Sequence, residues 1–225
     1  VTARFVNSQK IGILGGTLDP IHLGHLRVAE EVREGLGLEE VLIIPAFSPP
    51  HKLNRPLTPF RDRLAMVQMA VRRCPGLKAS DIEAHLPTPS YSVRTLEHLQ
   101  RLYPGKKFYF ILGLDAFLEI ATWWNYPRLP ELAHLVVVSR GEKTDLGEAL
   151  SQTFCHFIPR GPNEFEGPKG ARISFFSVTR LDISSTRIRT LVAQGRSIKF
   201  LVPWEVEDYI YQKGLYRKEE AERPE

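Results

Sequence analysis

The chain predicts a doubly wound α/β fold built on a mainly parallel sheet, and three observations carry that prediction. Short apolar runs such as Lys10–Leu14, Glu40–Pro45 and Phe108–Leu112 alternate with longer segments whose apolar residues recur at helical spacing. A glycine turn, Gly15-Gly16-Thr17, separates the first run from the first such segment. Strand, helix, strand is the unit of a parallel sheet, with a right-handed crossover.

The elements follow in order. Lys10–Leu14 reads as a buried strand, and Val28, Ala29, Val32 and Leu36 form one apolar helical face that Gly35 and Gly37 bring to an end. Glu40–Pro45 is the second strand. Ser48–Pro59 is a proline-rich loop, after which Thr58 as cap and Pro59 in the first turn start a helix with the face Phe60, Leu64, Val67 and Val71. Leu77–Leu86 is expected to be extended, and a helix follows the Pro87–Ser90 loop to about Tyr103. Phe108–Leu112 ends at Gly113-Leu114-Asp115, where a short helix begins. His134–Ser139 and Arg172–Val178 supply two further strands, and the Gly- and Pro-rich stretch between Pro159 and Gly170 reads as a mobile acidic loop or connector. Ser184 or Ser185 caps a helix with Ile188, Leu191 and Val192 inside. A last helix starts near Pro203, carries Val206, Tyr209 and Ile210 on one face and stops before Gly214.

With 225 residues, 43% of them hydrophobic, the chain can bury a sizeable core. The organisation expected is one domain over 10–216 including the C-terminal helices, preceded by an unpatterned 1–9 and followed by a charged tail, 217–225. Neither a signal peptide nor a membrane span is indicated, so no membrane partner is expected and the cytoplasm is the default location. Two cysteines, Cys74 and Cys155, fit no pairing or zinc spacing and suit a reducing compartment. A net charge of +4 suits a small phosphorylated ligand as well as an ordinary solvated surface. Lys and Arg are scattered without a long basic block, and no nucleic-acid partner is expected. Nothing in the pattern signals an oligomeric state.

The chemistry concentrates in Gly15-Gly16-Thr17-Leu18-Asp19-Pro20-Ile21-His22-Leu23-Gly24-His25. A helix N-terminus presents unsatisfied N–H groups and the positive end of the peptide dipole, and glycine lets a phosphate approach the backbone. If the helix begins near Leu23, His22 and His25 lie about one turn apart and can donate to the same phosphate. A metal site is the alternative use of two imidazoles, but only Asp19 stands nearby, so no protein metal site is expected.

This motif resembles that of the H-x-G-H nucleotidyltransferase superfamily, and later motifs narrow the resemblance to the bacterial nicotinate mononucleotide adenylyltransferases. The family's P-P-H-K loop matches Pro49-Pro50-His51-Lys52, and its P-S-Y-T matches Pro89-Ser90-Tyr91-Ser92. Its G-x-D matches Gly113-Leu114-Asp115, its aromatic pair Trp123-Trp124, and its I-S-S-T-x-I-R the stretch Ile183–Arg189. The closing Tyr209-Ile210 and Gly214-Leu215-Tyr216 also match, so the resemblance runs from about Lys10 to Tyr216. Three departures stand out: Leu18 replaces a phenylalanine, Ser92 a threonine, and Arg140-Gly141 stands where Arg-Pro-Gly is common.

The resemblance implies a Rossmann-like nucleotide-binding architecture and the transfer of the adenylyl group of ATP to nicotinate mononucleotide, giving nicotinate adenine dinucleotide and pyrophosphate. Mg²⁺ would arrive with ATP. Such a displacement needs alignment and charge stabilisation but no protein nucleophile. His22, His25 and Arg189 would be catalytic. ATP would be held by Gly15, Gly16, Thr17, His22, His25, Lys52, Gly113, Asp115, Ser184, Ser185, Thr186 and Arg189. The mononucleotide would be held by Leu18, Tyr91, Ser92, Trp123, Trp124 and Arg140, with Trp123 stacking on the pyridine ring and the Trp124 backbone lining the pocket. Asp115 would either take ribose hydroxyls or cap its helix. Another acceptor, phosphopantetheine or a phospho-alcohol, is the close alternative, and a non-catalytic nucleotide- or RNA-binding module the distant one.

Overall fold

A computed structural model describes residues 10–50, 56–139 and 153–217, together with Gly147 and Leu150. Eight strands form one sheet in the order β3-β2-β1-β4-β5-β8-β7-β6. The strands β1 (Lys10–Gly16), β2 (Glu40–Pro45), β3 (Leu77–Ala79), β4 (Lys107–Gly113), β5 (His134–Ser139) and β8 (Arg172–Ser177) run parallel. β6 (Ile158–Gly161) and β7 (Glu164–Glu166) extend one edge as an antiparallel hairpin. The central strands are apolar without alternation because helices cover both faces; Val41 to Pro45 and Leu135 to Val138 are buried throughout.

One face packs against α1 (Leu23–Leu36), α2 (Phe60–Val71), α6 (Ser185–Ala193) and α7 (Trp204–Gln212). The other packs against α3 (Ser92–Leu102), α4 (Leu114–Leu118) and α5 (Leu129–Leu132). Along α1 the buried positions are Gly24, Val28, Ala29 and Val32, so three of the four expected face residues are buried while Leu36 is half-buried, and each fully buried valine contributes about 1.5–3 kcal/mol of apolar transfer. The helix ends at Gly37 in the left-handed conformation, φ 59°.

Three sequence expectations are corrected. The extended run at Leu77–Leu86 is only three residues of strand, after which Ile82–His85 forms a 3₁₀ turn. Burying that turn brings the Glu83 carboxylate inward to accept from Thr95 Oγ1 (2.9 Å) and from the Phe47 N–H (3.2 Å). The Pro159–Gly170 loop is the β6–β7 hairpin followed by a 3₁₀ turn. Its edge strand β6 is exposed and its β7 only half-buried, so neither carries the apolar run that marks a buried strand. In α2 the cap position falls to Pro59, and the buried face is Asp62, Arg63, Met66, Val67, Ala70 and Val71, with Leu64 half-exposed.

β1 and β4 are neighbours whose chain connections leave in opposite directions across the sheet, β1 toward β2 and β4 toward β5. This is the switch point at which open α/β sheets bind ligands beyond the C-terminal strand ends. His22, after β1, and Asp115, after β4, both lie there.

Candidate active site

His22 is the N-cap of α1 in extended conformation, and His25 is its third helical residue. The His22 N–H donates to His25 Nδ1 (3.3 Å), one half of a reciprocal capping box whose other half joins the His22 side chain to the His25 backbone. The two rings stack at 3.7 Å with 27° between their planes. Because Nδ1 of His25 accepts, the proton of the neutral ring sits on Nε2, which becomes a donor. Gly24 makes the stack possible: a Cβ there would stand 3.0 Å from Nδ1 and 3.1 Å from Cε1 of His22, whose ring is buried.

The loop before α1 is held by residues from distant parts of the chain. Asp19, 3% exposed, accepts from the Tyr216 hydroxyl at Oδ1 (2.7 Å) and from the Thr58 N–H at Oδ2 (3.4 Å). Burial, reinforced by the Asp19 charge, pushes the Tyr216 phenol far above its ordinary pKa, so it stays protonated and donates. Arg63, 1% exposed, donates to the carbonyls of Thr17 (2.8 Å), Ala46 (2.7 Å) and Thr58 (2.9 Å). Burial lowers its pKa and the charges of Asp19 and Glu83 oppose that shift, so the guanidinium stays charged among buried carboxylates. Leu18 adopts φ 50°, a left-handed backbone that a leucine enters only when its surroundings enforce it.

The second helix start meets the first at this loop. Arg189 donates to the Asp19 carbonyl (2.7 Å) and to Thr186 Oγ1 (3.2 Å), and Ser185 Oγ donates to the Pro20 carbonyl (2.9 Å). Ser184 is the cap of α6, accepting from the Arg187 N–H at 3.2 Å. Two N-termini and three cationic or hydrogen-bond-donating side chains therefore converge on Asp19-Pro20.

An aromatic cavity of about 380 Å³ opens beside Pro50, Ser90, Tyr91, Ser92, Trp123 and Trp124. Its wall is fixed by mutual bonds between the Ser48 and Ser90 segments, Ser90 N–H to Ser48 O (2.9 Å) and Ser48 N–H to Ser90 Oγ (3.0 Å). Trp123 is half-buried and packs edge-on to Phe110 (6.4 Å). The exposed Trp124 stacks on Tyr91 at 5.0 Å and 25°, and the Arg94 guanidinium lies over both rings, 5.1 Å from Trp124 and 5.2 Å from Tyr91.

Several sequence-predicted residues thus come together: His22, His25, Ser184, Ser185, Thr186 and Arg189 around one loop, and Tyr91, Ser92, Trp123 and Trp124 around one cavity. Gly15 is exposed at the end of β1 with open space where a Cβ would stand, and Gly16 and Thr17 follow half-buried. Leu18 is not exposed to the cavity; its side chain is buried in the core, leaving only backbone to offer. Gly113 is the cap of α4, so Asp115 is not a cap but an exposed residue of its first turn. Lys52 and Arg140 lie outside the described residues. Sequence reading missed Arg63, Tyr216 and Arg94. Only Arg94 had a local signal, its position three residues beyond Tyr91 on the same helix face.

Comparison with known proteins identifies the family and the fold. The cytidylyltransferase-like family model matches residues 13–191. A protein of Desulfatibacillum aliphaticivorans named probable nicotinate-nucleotide adenylyltransferase is 49% identical over 217 residues, covering 92% of this chain and 100% of that one. The chain belongs to the nicotinate-nucleotide adenylyltransferase family. A second member, from Syntrophotalea carbinolica, is 46% identical across 94% of this chain and 99% of its own. The fold is also that of the Plasmodium falciparum nicotinic acid mononucleotide adenylyltransferase solved in complex with NaAD, with TM-score 0.72, 21% identity and coverage of 92% and 97% of the two chains. No group of three His, Cys, Asp or Glu that could hold a metal ion occurs among the described residues, and no helix among them is long and apolar enough to cross a membrane.

Proposed function

We propose that this chain, acting as a single domain over 10–216 in the cytosol, transfers the adenylyl group of ATP to nicotinate mononucleotide. The products are nicotinate adenine dinucleotide and pyrophosphate, so the reaction belongs to NAD biosynthesis. The observation that carries the reading is the convergence of His22, His25 and Arg189 on one loop, together with the Trp123–Tyr91 aromatic cavity. A phosphate oxygen of the mononucleotide forms a bond to the α-phosphorus of ATP while the bond from that phosphorus to the β-bridging oxygen breaks. Negative charge therefore grows on pyrophosphate, and no protein nucleophile is consumed.

His22 and His25 donate to the triphosphate oxygens where that charge develops. Arg189 and the N–H groups at Ser185 and Thr186 hold the β and γ phosphates from the second helix start, and Gly15, Gly16 and Thr17 admit the chain of phosphates to the backbone. Gly113 and Asp115, at the end of β4, take the ribose side, and Lys52 closes on ATP from its loop. Trp123 stacks on the pyridine ring in the cavity formed with Tyr91, Ser92 and the Trp124 backbone. Mg²⁺ belongs to the ATP substrate complex, where it neutralises phosphate oxygens.

Pyrophosphate release from MgATP is expected with nicotinate mononucleotide and not with phosphopantetheine, and the reverse preference, or a requirement for CTP, overturns the assignment. Trp123→Ala is expected to raise the mononucleotide KM by roughly tenfold or more, as loss of an aromatic stack of about 1–3 kcal/mol requires, with a smaller change for ATP. A larger change in the ATP KM would move the pyridine pocket elsewhere.

Gly24→Ala is a finer test of the histidine geometry. The added methyl would shift the buried His22 ring by a few tenths of an ångström against its stack with His25, and kcat should fall by up to roughly tenfold as the catalytic group moves from its position. Thermal melting of the same variant should stay near that of the parent, since alanine is the better helix former. Full activity in Gly24→Ala would show that the stack does not matter.

A further inference from the structure

A cavity of about 560 Å³ lies at the N-terminal ends of the strands, the end of the sheet opposite this site. Its lining includes Lys10, Lys107, His134 and Arg172, which are the first residues of β1, β4, β5 and β8, four strands adjacent in the sheet. Lys10 and Lys107 stand directly opposite one another in the β1–β4 register, a juxtaposition of like charges that weakens a sheet unless something offsets it. Lys106 and Lys169 add to the same rim.

The acidic groups nearby are already engaged. Glu131 pairs with Arg128 and reaches Lys169 at 4.0 Å, Glu39 reaches Lys106 at 3.8 Å, and Glu166, opposite Arg172 in the β7–β8 register, pairs with Arg160 at 2.9 Å. Among the described residues, no ion pair engages Lys107 or Arg172. Lys10 Nζ donates to the Leu36 carbonyl (3.1 Å) at the end of α1 and lies 5.8 Å from the Tyr109 ring, which in turn contacts the His134 ring at 5.0 Å. His134 Nδ1 is buried and finds no hydrogen-bond partner among the described residues.

We propose that this cleft is a second anion site that binds a multivalent phosphate compound, a nucleoside di- or triphosphate or an inorganic polyphosphate, apart from the adenylyl-transfer site. Three of these four strand starts, Lys10, Lys107 and Arg172, place cations within one cavity, which focuses the potential as scattered surface lysines do not. The volume is that of an ordinary small-molecule site, and Tyr109 supplies an aromatic face. The proposal does not depend on which acceptor the enzyme uses.

The His134 ring is a local reporter. Burial first, and then Arg172, Lys107 and Lys10, hold its pKa below the usual imidazole value; the other charged or titratable groups lining the cavity are Lys106, Tyr109, Glu131 and Lys169. An anion bound among those cations opposes their effect and raises the midpoint.

The test is an NMR titration of the full chain with labelled histidine, His134→Asn identifying the resonance. Inorganic tripolyphosphate and ADP are added in separate arms, with sodium chloride at matched ionic strength as control. The expected result is a saturable shift of the His134 resonance and a rise of its midpoint by about half a unit or more. The response should persist in Arg189→Ala, whose catalytic site is impaired, and vanish in Lys107→Gln/Arg172→Gln, whose kcat/KM should stay within about twofold of the parent. Response to tripolyphosphate alone identifies inorganic polyphosphate as the ligand class, and a stronger response to ADP identifies a nucleotide. An absent shift, one matched by sodium chloride, or one that survives the double substitution overturns the proposal.

Discussion

Replacing His25 by alanine is expected to lower kcat for adenylyl transfer by about 10²–10³-fold, the usual cost of removing one donor aimed at developing charge. The mononucleotide KM should change far less, because the donation strengthens as charge moves to the leaving pyrophosphate. The expectation follows from local geometry. His25 Nδ1 accepts the His22 N–H, so Nε2 is the protonated edge, and the ring is clamped by its stack on His22. Loss of half the capping box also costs about 0.5–2 kcal/mol of stability, which melting measures separately from turnover. His25→Gln keeps an N–H donor on a longer stem and should recover part of the rate. Steady-state pyrophosphate release reads both variants, and an unchanged kcat in His25→Ala would remove His25 from the chemistry.

The sequence made the parallel strands legible because helices cover both sheet faces. Glu40–Pro45 and His134–Ser139 were therefore readable as continuous apolar runs, and the structure has them with the same bounds. The β6–β7 hairpin was not readable, since an edge strand with Ile158 at 54% exposure carries no such run. The site divides in the same way. His22, His25 and Arg189 sit in short motifs whose chemistry is local, with Gly24 and Ser184 supplying the backbone conditions. Asp19 and Tyr216 are 197 positions apart, and Arg63 lies on a helix face that periodicity assigns to apolar residues. Pairings of that kind leave no trace in a sequence window. The choice of acid over amide is similarly silent, because backbone N–H groups can recognise a carboxylate without a side-chain signature.

Arg63 is where that hidden layer is most consequential. Its guanidinium braces three segments through their backbone carbonyls: Thr17 in the phosphate turn, Ala46 and Phe47 just beyond β2, and Thr58 just before α2. Arg63→Ala leaves those carbonyls without their donor and leaves the buried Asp19 and Glu83 carboxylates without the charge between them. Leaving a buried carbonyl without its donor costs about 1–3 kcal/mol, so loss of several such bonds should lower the melting temperature by roughly 6 °C or more for a chain of this size. Arg63→Lys keeps the charge but has no planar fork to reach these acceptors, and it should recover only part of that loss. At a temperature where Arg63→Lys remains folded, kcat should still fall, because Thr17 precedes the left-handed Leu18 and the Asp19 carbonyl that anchors Arg189. Melting curves alongside turnover separate the two effects. Parent-like stability in Arg63→Ala would show that the brace is dispensable, and full activity in a folded Arg63→Lys would show that the phosphate turn holds its shape without it.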